Sequence, residues 1–178
     1  MQERHINRQQ YFNEQEEIGG AFDIVFLRDV IEHIPNQESF MKHLKKFISP
    51  NGIVFFAFPP WRMPFGGHQQ ICHKKWLSHI PYMHILPKCI YQFILKTFGS
   101  SESEITVLSN IAETSISIRR FEKIICRENY TVIQKSHWLI NPNYQVKFGL
   151  KPRKVPKAFH IPHIQDFYTT AVYYVLKP

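Results

Sequence analysis

The chain has 178 residues, 44% of them hydrophobic and 15% aromatic, which is enough to bury the core of a single domain. Residues 1–20 are charged and polar, which argues against a secretory signal, and three cysteines without a regular spacing argue against a disulfide framework. With a net charge of +8, a basic cytoplasmic protein with reduced thiols is expected.

A strand and a helix are predicted first in the chain. The run from Phe22 to Leu27 is apolar and rich in β-forming residues, which is typical of a strand covered on both faces in a parallel sheet. Asn36 follows a proline and is placed to cap a helix. The apolar face of this helix is predicted to comprise Phe40, Met41, Leu44, Phe47 and Ile48.

A second strand follows this helix. Asn51 and Gly52 predict a turn, and the apolar run from Ile53 to Phe58 predicts a buried strand that ends at two prolines. A helix of this length between two such strands predicts a right-handed crossover and a parallel pair. Residues 22–58 are therefore interpreted as a strand-helix-strand unit of an α/β protein.

This unit resembles the middle of class I S-adenosylmethionine-dependent methyltransferases, especially the branch that includes the ubiquinone-biosynthesis O-methyltransferases. The matching features are a Phe-Asp strand that ends in a D-x-x-E-H-I-P turn over residues 29–35, and a P-x-G turn at residues 50–52. The resemblance implies a partial Rossmann-like α/β sheet with flanking helices, made of the later strands of the fold. It also implies methyl transfer from S-adenosylmethionine to a small or lipid-like acceptor.

The motifs that hold the cofactor in that family are absent from the sequence. They are a glycine-rich turn after the first strand and an acidic residue after the second, which allow close backbone approach and bind the ribose hydroxyls. Gly19 and Gly20 precede the wrong strand, and no G-x-G occurs in the chain. The resemblance thus implies that the first three strands are missing and that this chain alone can be inactive. The Phe22 strand should then lie at an uncovered sheet edge that favours self-association.

Two further helices and two strands are predicted. One helix spans Lys88 to Phe98 with Ile90, Phe93, Ile94 and Phe98 on its apolar face, and a polar loop covers residues 99–104. Ser117 is placed to cap another helix, with Ile118, Phe121, Ile124 and Ile125 on its buried face. Tyr130 to Ile140 and Tyr168 to Leu176 are predicted strands. The resemblance makes them the last two strands of the sheet, the final one antiparallel.

The chain is interpreted as one partial methyltransferase domain over residues 1–178. Its parts are a leading connection (1–21), the strand-helix-strand unit (22–58), a substrate-side loop and lid (59–116), and the last helix and two strands (117–178).

The candidate cofactor residues follow the first predicted strand. Open α/β sheets bind ligands at the carboxyl ends of their strands, and the resemblance implies that Arg28, Asp29 and Val30 contact the methionine part of S-adenosylmethionine. The alternative for Asp29 is to accept backbone amides in its own turn. His33 is a candidate base, although a structural histidine is favoured, and as a neighbour of Glu32 it is not expected to face that residue across a helix.

The loop after the second strand carries the candidate acceptor site. Methyl transfer from a sulfonium needs alignment, and a base only where the acceptor holds a proton of high pKa. His68, on a glycine-flanked loop, is the candidate acid or base, and the two glycines form a hinge or a turn. A zinc site at His68, Cys72 and His73 is not favoured because a second ligand pair is missing, so no metal is expected. The resemblance implies acceptor contacts from Trp61, Arg62, Gly66, Gly67, His68 and Gln69.

Two acid-free segments suggest a surface role. Trp76 to Phe98 contains prolines, histidines and lysines that argue against a membrane span, so it is interpreted as a lid or as a helix resting on a bilayer. Lys147 to Lys157 is basic and broken by prolines; a solvated connection is favoured over contact with lipid phosphates, and nucleic acid is the less favoured partner. The alternative for the whole chain is a non-enzymatic remnant or basic interaction module.

Overall fold

The strands of this protein form one mixed sheet. The computed structural model describes residues 22–67 and 74–178, and the strand order in that part is β1-β2-β5-β3-β4. Strands β1 and β2 are parallel, whereas β5 is antiparallel to both of its neighbours, β2 and β3. This confirms the α/β prediction with an antiparallel final strand. The strands are β1 (Phe22–Arg28), β2 (Ile48–Phe58), β3 (Thr131–Ile140), β4 (Arg153–Lys154) and β5 (Ala171–Lys177).

Two of the helices that flank the described sheet begin at the residues predicted to cap them, Asn36 and Ser117. The Asn36 side chain accepts from the Ser39 amide at 3.0 Å, and the Ser117 hydroxyl accepts from the Arg120 amide at 3.1 Å. The α-helices are α1 (Gln37–Leu44), α2 (Lys75–Ser78), α3 (Lys88–Thr97), α4 (Glu102–Glu113), α5 (Ile118–Arg127) and α6 (Asn143–Phe148).

The main core lies between one face of the sheet and helices α1 and α5. The Phe121 ring of α5 packs against Phe56, Phe58 and Tyr174 with centroids 5.1, 4.8 and 5.0 Å away. The predicted buried face of α5 is confirmed in full, because its apolar residues repeat at helical spacing with charged residues between them. Tyr130, the residue before β3, donates its hydroxyl proton to the Met41 carbonyl at 2.8 Å and so links α1 to the sheet.

Strand β1 is not covered on both faces, contrary to the first expectation from its composition. Phe22, Ile24 and Phe26 are 50%, 66% and 63% exposed. On its other face, Val25 and Leu27 pack against the core. Within residues 22–67 and 74–178, β1 pairs with β2 alone and forms the edge of the described sheet, where the family resemblance placed it.

The uncovered face of β1 leads to a prediction about association. Phe26 stacks on Phe55 at 4.5 Å, which makes an apolar patch beside an unpaired strand edge. We expect the chain to self-associate, and the variant Phe26→Lys to weaken that association while Phe148→Lys, at a similarly exposed residue of α6, does not. Light scattering over a range of concentrations measures this, and a wild-type chain that stays monomeric throughout would contradict it.

The boundary between α1 and β2 differs from the prediction. Asn51 and Gly52 do not form a turn, because β2 begins at Ile48 and runs through them with an irregular register opposite β1. A Cβ on Gly52 would lie 2.7 Å from the Phe22 carbonyl oxygen, so this residue serves close strand approach. The predicted helix face is therefore too long: Ile48 belongs to the strand, and Phe47 ends a single 3₁₀ turn.

The predicted apolar face of α3 is wrong for Ile90, Phe93 and Phe98, whereas Ile94 packs against the core as predicted. Tyr91 and Leu95 are its buried residues, whereas Ile90 and Phe93 are exposed. The helix carries apolar residues of its own on all sides, so their spacing does not reveal which side packs against the core. The buried side joins a second small cluster with α4, and that cluster comprises Leu77, Met83, Tyr91, Leu95, Ile105 and Leu108.

The predicted polar loop at residues 99–104 is shorter than expected, because α4 begins at Glu102. A capping box holds this start: the Ser101 hydroxyl accepts from the Glu104 amide, and the Glu104 carboxylate accepts from the Ser101 amide. None of the helices in residues 22–67 and 74–178 is long and apolar enough to cross a membrane.

Candidate functional site

The parallel strands β1 and β2 bring two chain segments to one edge of the sheet. Arg28 and Asp29 end β1 there, and Pro59 and Pro60 follow β2. Asp29 has a left-handed φ of 52°, and its amide donates to the Ala57 carbonyl at 2.8 Å. That conformation is uncommon outside glycine, although aspartate tolerates it. The chain therefore turns sharply at the carboxyl end of β1.

The predicted cofactor residues lie at this turn and face solvent. The Arg28 Nε lies 3.4 Å from the Asp29 Oδ2, and both side chains are at least half exposed. Val30 is half-buried, and its carbonyl accepts from the His33 amide at 2.9 Å. Among the described residues the Asp29 carboxylate contacts Arg28 and makes no hydrogen bond to a backbone amide of its turn. This exposed pair of opposite charges is free to meet a ligand.

Glu32 is the residue of this edge that the sequence analysis missed. It lies in a 3₁₀ turn after β1 and is only 7% exposed. Burial raises the pKa of its carboxyl group to about 7, the backbone amide of Glu32 opposes this rise, and the Asp29 charge adds to it. Its Oε2 has no hydrogen-bond partner among the described residues. A carboxyl group of this kind is typical of functional sites.

A small cleft of about 30 Å³ opens beside Glu32. Its walls come from the turn after β1, the loop after β2 and the region around α4, and they are mainly apolar. A poorly solvated wall explains why the charged form of Glu32 is disfavoured. The lining residues are Glu32, Pro59, Pro60, Trp61, Gly66, Gly67, Ile111 and Ile116.

His33 lies closer to Glu32 than the sequence analysis expected. The 3₁₀ turn brings the His33 Nε2 to 4.0 Å from the Glu32 Oε1. The expectation assumed an α-helix, in which adjacent side chains diverge. The imidazole is partly exposed while the carboxylate is buried, so the buried member of the pair faces the cleft.

Trp61, Gly66 and Gly67 form one wall of the cleft. His84 fixes this wall: its Nε2 donates to the Trp61 carbonyl at 2.7 Å, and its ring packs edge-on against the Trp61 ring. Burial lowers the pKa of His84, although the hydrogen bond to Trp61 acts in the opposite direction. A Cβ on either glycine would lie 2.7 Å or less from the His84 side chain. The two glycines therefore permit close packing, which favours a turn over a hinge.

The Arg62 side chain does not line this cleft. Arg62 lines a second cleft, and its guanidinium carbon lies 5.7 Å from the centre of the Phe167 ring. His68 and Gln69, together with Cys72 and His73 of the rejected zinc site, fall outside the described residues. In residues 22–67 and 74–178 no group of three or more potential ligands is placed to hold a metal ion.

A mixed sheet with an antiparallel last strand and a cleft at the carboxyl edge defines an α/β domain of the methyltransferase type. A family model described as "Methyltransferase domain" matches residues 2–98, and because this is more than half of the chain, the protein belongs to that family. The match includes the turn after β1 and the loop after β2, whereas Ile111 and Ile116 of the cleft lie outside it. Comparison with curated proteins found no match. Methyl transfer is therefore the general activity of the family, which generally uses S-adenosylmethionine.

Proposed function

We propose that this chain takes part in methyl transfer from S-adenosylmethionine to a small or lipid-like acceptor with an ionisable hydroxyl, as in the ubiquinone-biosynthesis O-methyltransferases that it resembles. The observation that carries the proposal is Glu32, a buried carboxyl group with a pKa near 7 at the carboxyl edge of the sheet. Family membership supports methyl transfer in general. The branch of the family, the kind of methyl acceptor and the role of Glu32 as the base are what we propose beyond that.

The charged pair after β1 fits the amino-acid end of the cofactor. The Arg28 guanidinium complements a carboxylate, and the adjacent Asp29 carboxylate complements an ammonium group. Among residues 22–67 and 74–178 there is no glycine-rich turn to approach the adenosine side, since the sequence contains no G-x-G. The bound cofactor would supply an electrophilic methyl group. Arg28 and Asp29 would orient its amino-acid end.

Glu32 would act on the acceptor from the apolar cleft. A phenolic hydroxyl has a pKa of about 10, so a base that titrates near neutrality removes its proton more readily than an ordinary glutamate. Trp61 and the two glycines form an apolar wall beside Glu32. An aromatic acceptor would lie against this wall at the mouth of the small cleft. His33, 4.0 Å from Glu32, is placed to pass the proton on to solvent.

The test is transfer of a labelled methyl group to catechol, the simplest diphenol probe. We expect the chain to yield labelled product slowly, and the variant Glu32→Gln to yield none above background. Glu113→Gln, at the exposed end of α4, is the matched control. Transfer by the Glu32→Gln variant at the wild-type rate would exclude Glu32 as the base. A wild-type chain that neither binds cofactor nor transfers methyl would favour the alternative, a non-enzymatic interaction module.

Cofactor affinity gives a separate prediction. We expect weak binding of S-adenosylmethionine, since Arg28 and Asp29 would hold only its amino-acid end, and a further loss in the double variant Arg28→Ala, Asp29→Ala. Titration calorimetry measures both. Micromolar affinity in the wild-type chain, unchanged in the double variant, would show that the cofactor is held elsewhere.

We also propose that a lipid-like acceptor is reached from a bilayer surface. Ile90 and the 69%-exposed Phe93 project from α3 between Lys88 and Lys96, an arrangement that suits an interfacial helix. Exposed Val146 and Phe148 adjoin the basic segment from Lys147 to Lys157. Each basic residue near an anionic surface contributes roughly 1 kcal/mol, so attachment should be sensitive to salt.

Liposome flotation tests this membrane contact. We expect the chain to float with anionic vesicles at low salt and the variant Phe93→Glu to lose most of that binding. Phe65→Glu, in the loop after β2, is the control at another exposed phenylalanine. Equal recovery with neutral and anionic vesicles would leave a soluble acceptor as the better hypothesis.

A further inference from the structure

A second cleft, of about 270 Å³, is lined mainly by basic residues. Three separate segments line it: the loop after β2, the first two turns of α5 and the segment before β5. Four of its side chains are permanent or near-permanent cations, and one is a carboxylate. The lining residues are Arg62, Ser117, Arg119, Arg120, Lys123, His163 and Asp166.

The arginines and the lysine of this cleft form no ion pair with an acidic residue among the described residues. Arg119 contacts the His163 ring, and Arg120 donates to the Ser115 carbonyl at 3.4 Å. Arg62 lies over the Phe167 ring. No ion pair of the described residues involves these three or Lys123. The cleft therefore holds an excess of positive charge.

The one carboxylate in the cleft is already engaged. Asp166 is 2% exposed, and its Oδ1 accepts from the Ile118 amide at 3.3 Å. Burial raises its pKa, while Arg62 and His163 act in the opposite direction. One buried and partly desolvated carboxylate cannot balance four cations around an open cleft.

The position of two of the cations is unfavourable for the helix itself. Arg119 and Arg120 lie in the first turn of α5, which has no acidic residue. The positive end of the helix dipole disfavours cations there, and like charges on neighbouring turns repel each other. Lys123 adds a third charge one turn further on. An anion in the cleft would relieve this repulsion, and guanidinium groups bind phosphate-type oxyanions through paired hydrogen bonds.

The basic cleft and the acceptor cleft are lined by consecutive residues of the same two chain segments. The Trp61 amide donates to the Ile116 carbonyl at 2.9 Å, and both residues line the Glu32 cleft. The next residue along each segment, Arg62 and Ser117, lines the basic cleft. The two clefts therefore lie along the same pair of segments, and a ligand held near Glu32 would extend along them to place another group among the arginines.

We propose that the basic cleft binds a phosphate group carried by the methyl acceptor. The acceptor is then a phosphorylated molecule, either a soluble phosphate ester or a lipid with a phosphate headgroup. This inference rests on the proposed function for the identity of the ligand, but the oxyanion site itself does not.

The test uses inorganic pyrophosphate, titrated by calorimetry at low ionic strength. We expect saturable binding to the wild-type chain and at least about tenfold weaker binding to the double variant Arg119→Ala, Lys123→Ala. Arg127→Ala, in the last turn of the same helix, is the matched control and should bind as the wild type does. Absence of saturable binding, or an equal loss in the control, would overturn the proposal.

Two further arms identify the ligand and separate this inference from the methyl-transfer proposal. Glycerol 3-phosphate should compete with pyrophosphate if the acceptor is soluble, and phosphatidylglycerol vesicles should compete if it is a lipid. Competition by neither would reject the claim that the acceptor carries the phosphate. The Glu32→Gln variant should keep its pyrophosphate binding and lose methyl transfer, so binding without any methyl transfer in the wild type counts against the proposed function alone.

Discussion

The variant Glu32→Gln should unfold less readily than the wild-type chain at pH 8. The pKa of Glu32 is raised from 4.5 to about 7 in the folded protein, so the folded state retains the proton that the unfolded chain loses. The contribution of Glu32 is therefore most favourable below pH 4.5 and is lost as the pH rises through about 7. At pH 8 the buried charge costs up to about 3 kcal/mol, and glutamine removes that cost.

Denaturant unfolding at pH 5 and pH 8 measures this effect. The gain of the Glu32→Gln variant over the wild type should be large at pH 8 and small at pH 5, while Glu113→Gln, at an exposed residue, should change little at either. Comparing proteins at the same pH cancels other groups, among them His137, whose pKa is lowered to about 4 chiefly by burial. A variant that is no more stable than the wild type at pH 8 would mean that Glu32 is not a strained carboxylate.

The same substitution should lower methyl transfer by about 10² to 10⁴, the usual effect of losing a general base. Higher stability together with lower activity is the signature of a residue kept for function. A purely structural Glu32 would show neither change. The two measurements on one variant therefore separate a catalytic role from a packing role.

The variant Phe121→Ala should lose about 3–5 kcal/mol of stability, since it empties a fully buried aromatic site. The ring contacts Phe56, Phe58 and Tyr174, which belong to two neighbouring strands, so its loss opens a cavity between α5 and the sheet. The free energy of unfolding of a domain is only about 5–15 kcal/mol in total. Much of the Phe121→Ala variant should therefore be unfolded at 37 °C.

Urea unfolding of this variant is compared with Phe93→Ala as the control, since Phe93 is 69% exposed on α3. The Phe93→Ala substitution should lower the free energy of unfolding by well under about 1 kcal/mol. Phe121→Leu should fall between the two, because leucine fills part of the cavity. Similar losses at Phe121 and Phe93 would contradict the assignment of the main core to the α1–α5 face of the sheet.

Local signals explain which parts of the fold were predictable. Asn36 and Ser117 act within three residues of themselves, so their caps followed from sequence. The charged residues between the apolar positions of α5 revealed its buried face. The start of α4 was also predictable, since Ser101 and Glu104 have capping-box spacing. It was missed because the polar composition of residues 99–104 indicated a loop.

Features that depend on distant neighbours were not predictable from composition. The β1 sequence does not reveal whether a further strand lies beside it, and the apolar residues all around α3 do not reveal which side packs. Glu32 was missed for the same reason: its burial depends on the loop after β2 and on Ile111 and Ile116, far along the chain. The D-x-x-E-H pattern pointed to the right turn, and only the fold distinguished the buried carboxylate from the more exposed imidazole.

The titration of Glu32 tests the central claim most directly. Carbon-13 NMR of glutamate-labelled protein follows each side-chain carboxyl against pH, and the signal that disappears in the Glu32→Gln variant belongs to Glu32. We predict a midpoint of about 7 for that signal. A midpoint near 4.3, the ordinary value for glutamate, would contradict the account of Glu32 as a buried base at the carboxyl edge of the sheet.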